Sequence, residues 1–247
     1  MKTLHPATNN LGAKATERTV KLAVVSAGVS DPSSSRLLAD RITQKAIDTL
    51  GEAGIRAQVS MIDLGPLAVD IARSLVAGYP NEPVQAAIDR LATADAVVAS
   101  TPVYKAGISG LFKSFADLID NDLLIAKPVV LAATGGTARH AMVVDGQLRP
   151  LFAFLRALPL PTSLYAAPED WGTTDLGKRI ARAATELTLI LRSGVTGDIA
   201  EENWNGYQHQ FGGNATRAGR TADDVNFDSD LMRLAAGGRS SSSGDPD

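Results

Sequence analysis

Five short segments rich in apolar residues, the first nearly continuous and the second alternating, are separated by segments of helical periodicity between residues 20 and 192. Nearly continuous apolar runs are typical of strands that are buried on both faces. Strands of this kind, separated by helices, predict a parallel sheet covered by helices on both sides, with right-handed crossovers. The predicted strands are 20–27, 55–62, 95–101, 128–134 and 162–166, and the predicted helices are 36–50, 81–91, 109–120, 139–158 and 175–192.

The length of 247 residues suits one domain with a core of its own. The alternating pattern places that domain at residues 19–194. Residues 1–18 are polar and aperiodic, so we predict a disordered leader there. Residues 195–247 predict a polar, partly disordered extension, because their Gly- and Ser-rich end cannot bury a core.

Composition excludes several kinds of chemistry. The chain has no cysteine, which excludes disulfides, a thiolate nucleophile, iron–sulfur clusters and cysteine-ligated zinc. Its three histidines are far apart and form no metal-binding motif. The net charge of −3 does not favour nucleic acid, and no apolar run indicates a signal peptide or membrane span, so we expect a cytoplasmic protein. Redox chemistry would therefore need an organic cofactor.

Parallel sheets bind ligands at the carboxyl ends of their strands, so the turns after the first, third and fourth strands are candidate sites. The first turn runs from Ser26 to Arg36 and contains Ser33, Ser34 and Ser35 just before a helix. Free N–H groups and the helix dipole suit a phosphate there, and hydroxyls add donors. The alternative is a plain serine N-cap. Neither G-x-G-x-x-G nor a P-loop is present, so neither nucleotide-binding motif is indicated.

The second turn, residues 101–110, brings an aromatic ring to the same edge of the predicted sheet. Pro102 ends the hydrogen bonding of the strand, so Tyr104 follows at the crevice, flanked by Val103 and Lys105. Two glycines later in the turn permit close approach of the backbone to a ligand. Such a turn can border a flat heteroaromatic ring. The alternative is a packed loop with Tyr104 at an oligomer interface.

The third turn, residues 134–137, reads Thr-Gly-Gly-Thr and again permits close approach to a ligand. The alternative is a turn that binds nothing. His140 follows it, and a lone histidine is more often structural than catalytic. Arg139 and Arg149 could approach a ligand phosphate, although Arg149 equally suits a structural ion pair.

Taken in order, the three turns resemble the NADPH-dependent FMN reductase family. The likeness is greatest to flavin reductases that supply reduced FMN to two-component monooxygenases, including the alkanesulfonate type. It covers about residues 20–192. The matching motifs are Pro32-Ser33-Ser34-Ser35-Arg36-Leu37-Leu38, then Thr101-Pro102-Val103-Tyr104 with Gly110-Leu111-Phe112-Lys113 and Asp117, then Ala133-Thr134-Gly135-Gly136-Thr137 with His140, Asp145 and Leu148-Arg149-Pro150.

The resemblance implies a flavodoxin-like α/β fold, a doubly wound parallel sheet of five strands in the order 2-1-3-4-5. It implies FMN held by the first-turn serines, with ring contacts from the other two turns, and a homodimer or homotetramer with the flavin near the subunit interface. The residues expected to bind FMN are Ser26, Ser33, Ser34, Ser35, Arg36, Pro102, Val103, Tyr104, Lys105, Thr134, Gly135, Gly136 and Thr137, and those expected to contact NADPH are Arg139, His140 and Arg149.

The chain departs from the family pattern in three places. Many members carry an arginine before the first-turn serines, whereas Arg36 follows them here. The alkanesulfonate-type reductases can carry an inserted tyrosine near the Asp145 position, linked to tetramer assembly and flavin exchange, and this chain has Gly146 there. The segment Trp204-Asn205-Gly206-Tyr207 matches no motif, and we expect a strap across a partner subunit or an unattached tail.

The predicted reaction is hydride transfer from NADPH, or NADH, to N5 of FMN. No catalytic residue is predicted, because the cofactor carries the chemistry and the protein supplies proximity and a shielded face. Reduced FMN would then pass to a monooxygenase. Three alternatives share the fold: a quinone or azo-dye reductase with tightly bound FMN, a one-electron flavodoxin-like carrier, and a non-catalytic binding protein.

Overall fold

The computed structural model describes residues 18–204, which form a parallel sheet between two layers of helices. Its strands are β1 (Arg18–Ser26), β2 (Ile55–Asp63), β3 (Ala96–Tyr104), β4 (Gly107–Ile108), β5 (Pro128–Thr134), β6 (Leu158–Pro159) and β7 (Leu164–Ala166). Its helices are α1 (Ser34–Glu52), α2 (Ala68–Ala77), α3 (Glu82–Ala92), α4 (Gly110–Ala116), α5 (Arg149–Phe154), α6 (Thr174–Ser193) and α7 (Val195–Trp204).

The order of the main strands is β2-β1-β3-β5, with β6 and β7 both pairing with β5 in parallel. The predicted order 2-1-3-4-5 is therefore confirmed, with β6 and β7 together in the place of the fifth strand. That strand is divided in two because Pro159 and Pro161 cannot donate ladder hydrogen bonds. The short β4 forms an antiparallel hairpin with the end of β3.

Successive side chains of the central strands point to opposite faces of the sheet, so they contribute to two separate hydrophobic cores. On one face, Leu22 and Val98 pack with Leu38 and Ile42 of α1 and with residues of α6. On the other face, β-strand residues pack with α2, α3, α4 and α5. Each fully buried large aliphatic side chain contributes roughly 1.5–3 kcal/mol. The two covered faces explain why the strands read as continuous apolar runs.

The same alternation determines where polar residues fall. On the face covered by α1, the apolar residues Val24, Val98 and Ala132 are each followed two positions later by a hydroxyl residue. Ser26 and Thr134 are the last residues of β1 and β5, and Ser100 of β3 pairs with Ser26 at the same level of the sheet.

The helix predicted over 139–158 is wrong. Three short segments replace it: a 3₁₀ turn at Ala138–His140, a π-helix at Val144–Leu148, and α5, with β6 following. Pro150 lacks the N–H that a continuous helix would need, and Gly146 disfavours regular helix, so the chain widens into π geometry between them.

Two helices were not predicted from the sequence. Helix α2 lies between β2 and α3, and its apolar side is only partly covered: Ile71 is buried whereas Val76 is 91% exposed. Helix α7 follows α6 within the predicted extension. No helix in the described region of the chain is long and apolar enough to span a membrane.

Candidate functional site

The first and third turns meet at the carboxyl edge of the sheet through side-chain hydroxyls. Ser35 Oγ and Thr134 Oγ1 lie 2.7 Å apart, and Ser34 Oγ donates to Thr134 Oγ1 at 3.3 Å. Ser100 Oγ donates to the carbonyl of Ser35 at 2.8 Å. Together with Ser26, which pairs with Ser100 across the β1–β3 ladder, these residues form what we call the hydroxyl cluster. It brings together residues that lie up to about a hundred positions apart in the chain.

The first turn caps α1 and also leaves donors unused. Ser33 Oγ accepts a hydrogen bond from the N–H of Arg36 at 3.2 Å, so Ser33 is an N-cap. The N–H groups of Ser34 and Ser35 belong to the first turn, where no intrahelical acceptor exists. Gly28 accommodates this arrangement, since a Cβ at that position would overlap Ser33 Oγ. The N-terminus of α1 therefore combines free N–H groups with the positive charge of the helix dipole.

Ser26 carries the clearest mark of a binding site. Its side chain is 1% exposed, and its Oγ has no hydrogen-bond partner in the described structure. An unpaired buried hydroxyl costs roughly 1–3 kcal/mol, so native proteins seldom keep one without a use for it. Its position beside Ser100, at the end of β1, suits a polar ligand group that enters below α1.

Arg36 is held by two carboxylates at the rim of the same turn. Its guanidinium lies 2.9 Å from Asp40 and 2.5 Å from Asp63, the residue that pairs with Ser26 at the end of β2. The hydrogen bond to Asp40 is the main reason why the pKa of Arg36 is raised; desolvation opposes it and Asp63 reinforces it. The predicted contact of Arg36 with FMN would have to form beside these ion pairs.

The second turn is a tight hairpin with unusual backbone geometry. Lys105 and Ala106 connect β3 to β4 with φ of 51° and 63°. Two consecutive left-handed residues are typical of a type I′ turn, where Asn-Gly is the usual sequence, so a lysine and an alanine here are strained. Gln147 of the π-helix holds the hairpin: it donates to the carbonyl of Ala106 and accepts from the N–H of Ile108, both at 3.1 Å.

The hairpin presents the predicted ring-binding residues at the crevice. Tyr104 is 51% exposed, Val103 is half-buried, and Pro102 is buried next to Thr134 in the β3–β5 ladder. The pairing of Pro102 with Thr134 places the second turn directly beside the third. The structure thus brings the residues predicted from all three turns to one edge.

The third turn rests on a tyrosine that the sequence reasoning missed. Tyr165 of β7 donates from its hydroxyl to the carbonyl of Thr137 at 2.6 Å. Gly135 lies against the tyrosine ring, and Gly136 and Thr137 are exposed. Neither Tyr165 nor Gln147 belongs to a motif, and only their contacts across the fold reveal them.

The three residues predicted to contact NADPH have different surroundings. Arg139 is exposed and His140 half-buried, both on the 3₁₀ turn after the third turn. Arg149 bonds Asp145 at 2.9 Å, Ser163 Oγ at 2.7 Å and the carbonyl of Leu160 at 2.9 Å. These contacts give Arg149 the structural ion pair that the sequence also suggested.

The pKa of Asp145, which pairs with Arg149, is the result of opposing effects. Burial by itself raises the pKa of Asp145. Hydrogen bonds from Ser163 and Arg149, with the charge of Arg149, outweigh that effect and leave the pKa lowered. In the described residues, no group of three or more histidine, aspartate or glutamate side chains could hold a metal ion.

The strand order and the two layers of helices define a flavodoxin-like α/β protein. The family described as "NADPH-dependent FMN reductase" matches residues 20–172, well over half of the chain. The chain therefore belongs to the NADPH-dependent FMN reductase family. It is an oxidoreductase of FMN and NAD(P)H, which confirms the predicted enzyme class and cofactors.

Similar proteins agree with this assignment. An "FMN reductase (NADPH)" of Pseudomonas aeruginosa is 40% identical over 151 residues, 61% of this chain and 78% of that protein. A "NADH-dependent FMN reductase SfnF" of Pseudomonas fluorescens is 34% identical over 170 residues, 69% of this chain and 88% of that one. An oxidoreductase structure from Corynebacterium diphtheriae aligns with a TM-score of 0.69 at 39% identity, covering 71% of this chain and 98% of that one.

Proposed function

We propose that FMN binds at the carboxyl edge of the sheet, with its phosphate at the N-terminus of α1 and its ring between the second and third turns. The observation that carries this placement is the buried Oγ of Ser26 in the hydroxyl cluster, which has no hydrogen-bond partner among residues 18–204. A phosphate or ribityl hydroxyl can complete its hydrogen bonding. The free N–H groups of Ser34 and Ser35 and the helix dipole add attraction for an anion.

The strength of this anchor follows from its donors. The first turn offers hydroxyls and amides, while its arginine is committed to Asp40 and Asp63. A hydrogen bond to a charged group contributes roughly 1.5–3 kcal/mol, so three or four give on the order of 5–10 kcal/mol before ordering costs. That is compatible with affinity near the micromolar range. Bound FMN would therefore exchange with free FMN in solution and would not stay permanently bound.

The residues of the second and third turns would hold the flavin ring. Tyr104 and Val103 would form one wall, with the backbone of Gly135 and Gly136 as the other. When bound, FMN supplies the group that accepts hydride. The protein contributes a fixed position for the ring and a surface from which water is partly excluded.

The nicotinamide donor is proposed to approach from the exposed rim of the third turn. Arg139 is exposed there and is the favoured partner for a 2′-phosphate, with His140 next to it. Arg149 already bonds Asp145, Ser163 and a carbonyl, so its predicted role in NADPH binding would require those contacts to rearrange.

The wider setting is also a proposal. Exchangeable FMN fits a reductase that releases reduced flavin to an FMN-dependent monooxygenase in the cytoplasm, as a homodimer or homotetramer. Residues 19–194 would be the FMN-binding domain, preceded by a leader at 1–18 and followed by an extension at 195–247. The proposed strap at Trp204–Tyr207 falls mostly outside the described residues, which end at 204.

Steady-state oxidation of NADPH and NADH, with and without added FMN, tests the function on gel-filtered protein. We expect oxidation that depends on added FMN and saturates with it, and anaerobic bleaching of the flavin. Absence of FMN-dependent oxidation with both donors would contradict the proposal. Oxidation that persists without added FMN, in protein that stays yellow, would indicate a bound prosthetic group instead.

Two matched serines test the placement of FMN. Ser26 and Ser74 are each 1% exposed, but Ser74 Oγ donates to the carbonyl of Asp70 at 2.7 Å and accepts from the N–H of Asn81 at 3.0 Å. We expect Ser26→Ala to weaken FMN binding severalfold without loss of stability, because no protein hydrogen bond is lost. Ser74→Ala should lower stability by about 1 kcal/mol and leave FMN binding unchanged. Unchanged FMN affinity in Ser26→Ala would refute the placement.

A further inference from the structure

Tyr165 is a buried side chain that contacts the third turn at Gly135 and Thr137. It lies on β7, paired with Ala133 of β5, and is 5% exposed. Its hydroxyl donates to the carbonyl of Thr137, which lies two residues after Gly135 in the third turn. The phenol thus reaches from the edge strand β7 to the loop that follows β5.

Gly135 is shaped to this ring. A Cβ on Gly135 would overlap the tyrosine hydroxyl and lie 3.2 Å from Cζ and 3.5 Å from Cε2. The glycine is therefore required by a side-chain neighbour and not by a left-handed backbone, since its φ is not in that region. At Gly136, by contrast, a Cβ would meet nothing within 4 Å.

The loop is fixed at its two ends. The N–H of Gly135 donates to the carbonyl of Ala166 at 3.2 Å, and the carbonyl of Thr137 accepts from Tyr165 and, at 3.4 Å, from the N–H of His140. The bond to Tyr165 is by far the shorter of the two at Thr137. Between these points Gly136 is exposed, with its backbone open to a ligand.

The phenol remains a donor at neutral pH. Burial, followed by the negative charges of Glu169 and Asp170, raises the pKa of Tyr165 above its ordinary value. The deprotonated form, which could not donate to the carbonyl, is thus disfavoured. The hydrogen bond to Thr137 is therefore retained at neutral pH.

We propose that Tyr165 is a positioning residue of the reductase: it holds the backbone of Gly135–Thr137 in place against the flavin ring, and Gly135 is matched to it. This inference deepens the proposed FMN site and rests on that placement. Tyr165 acts through the loop and does not itself touch the reacting atoms.

The first test removes only the hydroxyl. In Tyr165→Phe we expect the FMN Kd and KM to rise about three- to tenfold, the change expected when one hydrogen bond is lost, with kcat within twofold. Tyr79→Phe is the matched control, because Tyr79 is 57% exposed. It should leave the Kd, KM and kcat unchanged. Flavin fluorescence measures the Kd independently of turnover.

The second test uses the overlap at Gly135. Gly135→Ala alone should raise the FMN Kd more than Tyr165→Phe does, because the new methyl group pushes the loop off the phenol. In Gly135→Ala with Tyr165→Phe, the overlap with the hydroxyl is gone and the remaining 3.2 Å contact with Cζ needs only a small shift of the ring, so the Kd should fall below that of Gly135→Ala alone. Gly136→Ala with Tyr165→Phe is the control pair, whose effects should simply multiply.

The outcomes separate the two proposals. If wild-type protein shows no FMN-dependent oxidation and no FMN binding, the proposed function fails. If wild type binds and reduces FMN but Tyr165→Phe matches it in Kd and KM, the positioning role fails while the function stands. Multiplicative effects of Gly135→Ala and Tyr165→Phe would also overturn it. A lowered Tm with unchanged Kd and KM would show a purely structural tyrosine.

Discussion

The carboxyl and amino ends of the sheet differ in the polar groups that they bury: those at the carboxyl end are uncharged, whereas the amino end holds a cation. At the carboxyl end, the hydroxyl cluster and free helix N–H groups are uncharged, and Ser26 Oγ has no partner within the described part of the chain. At the amino end, the half-buried Lys127 lies just before β5. Its Nζ donates to the carbonyls of Leu91, at 3.2 Å, and Ala92 at the end of α3.

The comparison shows that a perturbed pKa does not by itself locate the function of this protein. Burial lowers the pKa of Lys127 from 10.5 to about 8, with Asp95 partly opposing the shift. Shifts of that size often mark active sites. Here the lysine caps a helix at the end of the sheet away from the candidate site, whereas the hydroxyl cluster contains no ionisable group. The ligand end can therefore meet an anion without a change in its own protonation.

The largest expected effect lies at the amino end, in the pH dependence of stability. Below about pH 8, Lys127 is protonated in both the folded and unfolded states, and the folded state bears the full cost of burying the charge. Between about 8 and 10.5 the unfolded state binds more protons, so stability rises with pH, by on the order of 3 kcal/mol in total. Lys127→Met should remove that rise.

Urea denaturation of wild type and Lys127→Met at several pH values from 7 to about 10.5 measures the difference. The diagnostic quantity is the slope with pH, since loss of the two carbonyl contacts shifts the whole curve of the variant. Parallel curves for the two proteins would show that the burial of Lys127 does not control the alkaline stability.

The next largest effect is expected at the carboxyl end. Thr134→Val removes the hydroxyl that bonds Ser34 and Ser35 and leaves Ser35 Oγ without that partner. We expect a loss of about 1–3 kcal/mol in the free energy of unfolding and weaker FMN binding. Thr188→Val is the control: Thr188 is 5% exposed, and its hydroxyl bonds only the Ala184 carbonyl within α6. It should be nearly neutral, and an equal loss at both positions would contradict the role of the cluster.

A smaller effect is expected from the cap of α1. Ser33→Ala removes the acceptor for the N–H of Arg36, and loss of an N-cap typically costs about 1 kcal/mol. Thermal unfolding with and without FMN separates the two roles of Ser33. A purely structural cap gives the same loss in both conditions, whereas a phosphate contact gives a larger loss with FMN.

The smallest effect should be that of Arg36→Met. The pairs with Asp40 and Asp63 are partly exposed, at 39% for the arginine side chain, so solvent screens them. We expect a loss below about 1 kcal/mol that shrinks further in high salt. A loss that is insensitive to salt would indicate that these ion pairs are shielded from solvent.

The positions of the main strands and of the three turns followed from the sequence alone. The strand at Pro128–Thr134 was predicted to the residue, because a run buried on both faces is continuous and proline marks its start. The turns stood out through local composition. Prediction failed over 139–158, because helical spacing does not report the change of hydrogen-bond register that Gly146 and Pro150 impose.

The sequence by itself therefore determined the α/β class, the strand order through its family likeness, and the turns that bear the candidate site. Only the tertiary structure decided that Ser26 is buried without a partner among the described residues, that Gln147 holds the hairpin, and that Tyr165 lies against Gly135. Strands and turns arise from the pattern of neighbouring residues. These three features depend on strand register and packing between segments far apart in the chain, which no local pattern encodes.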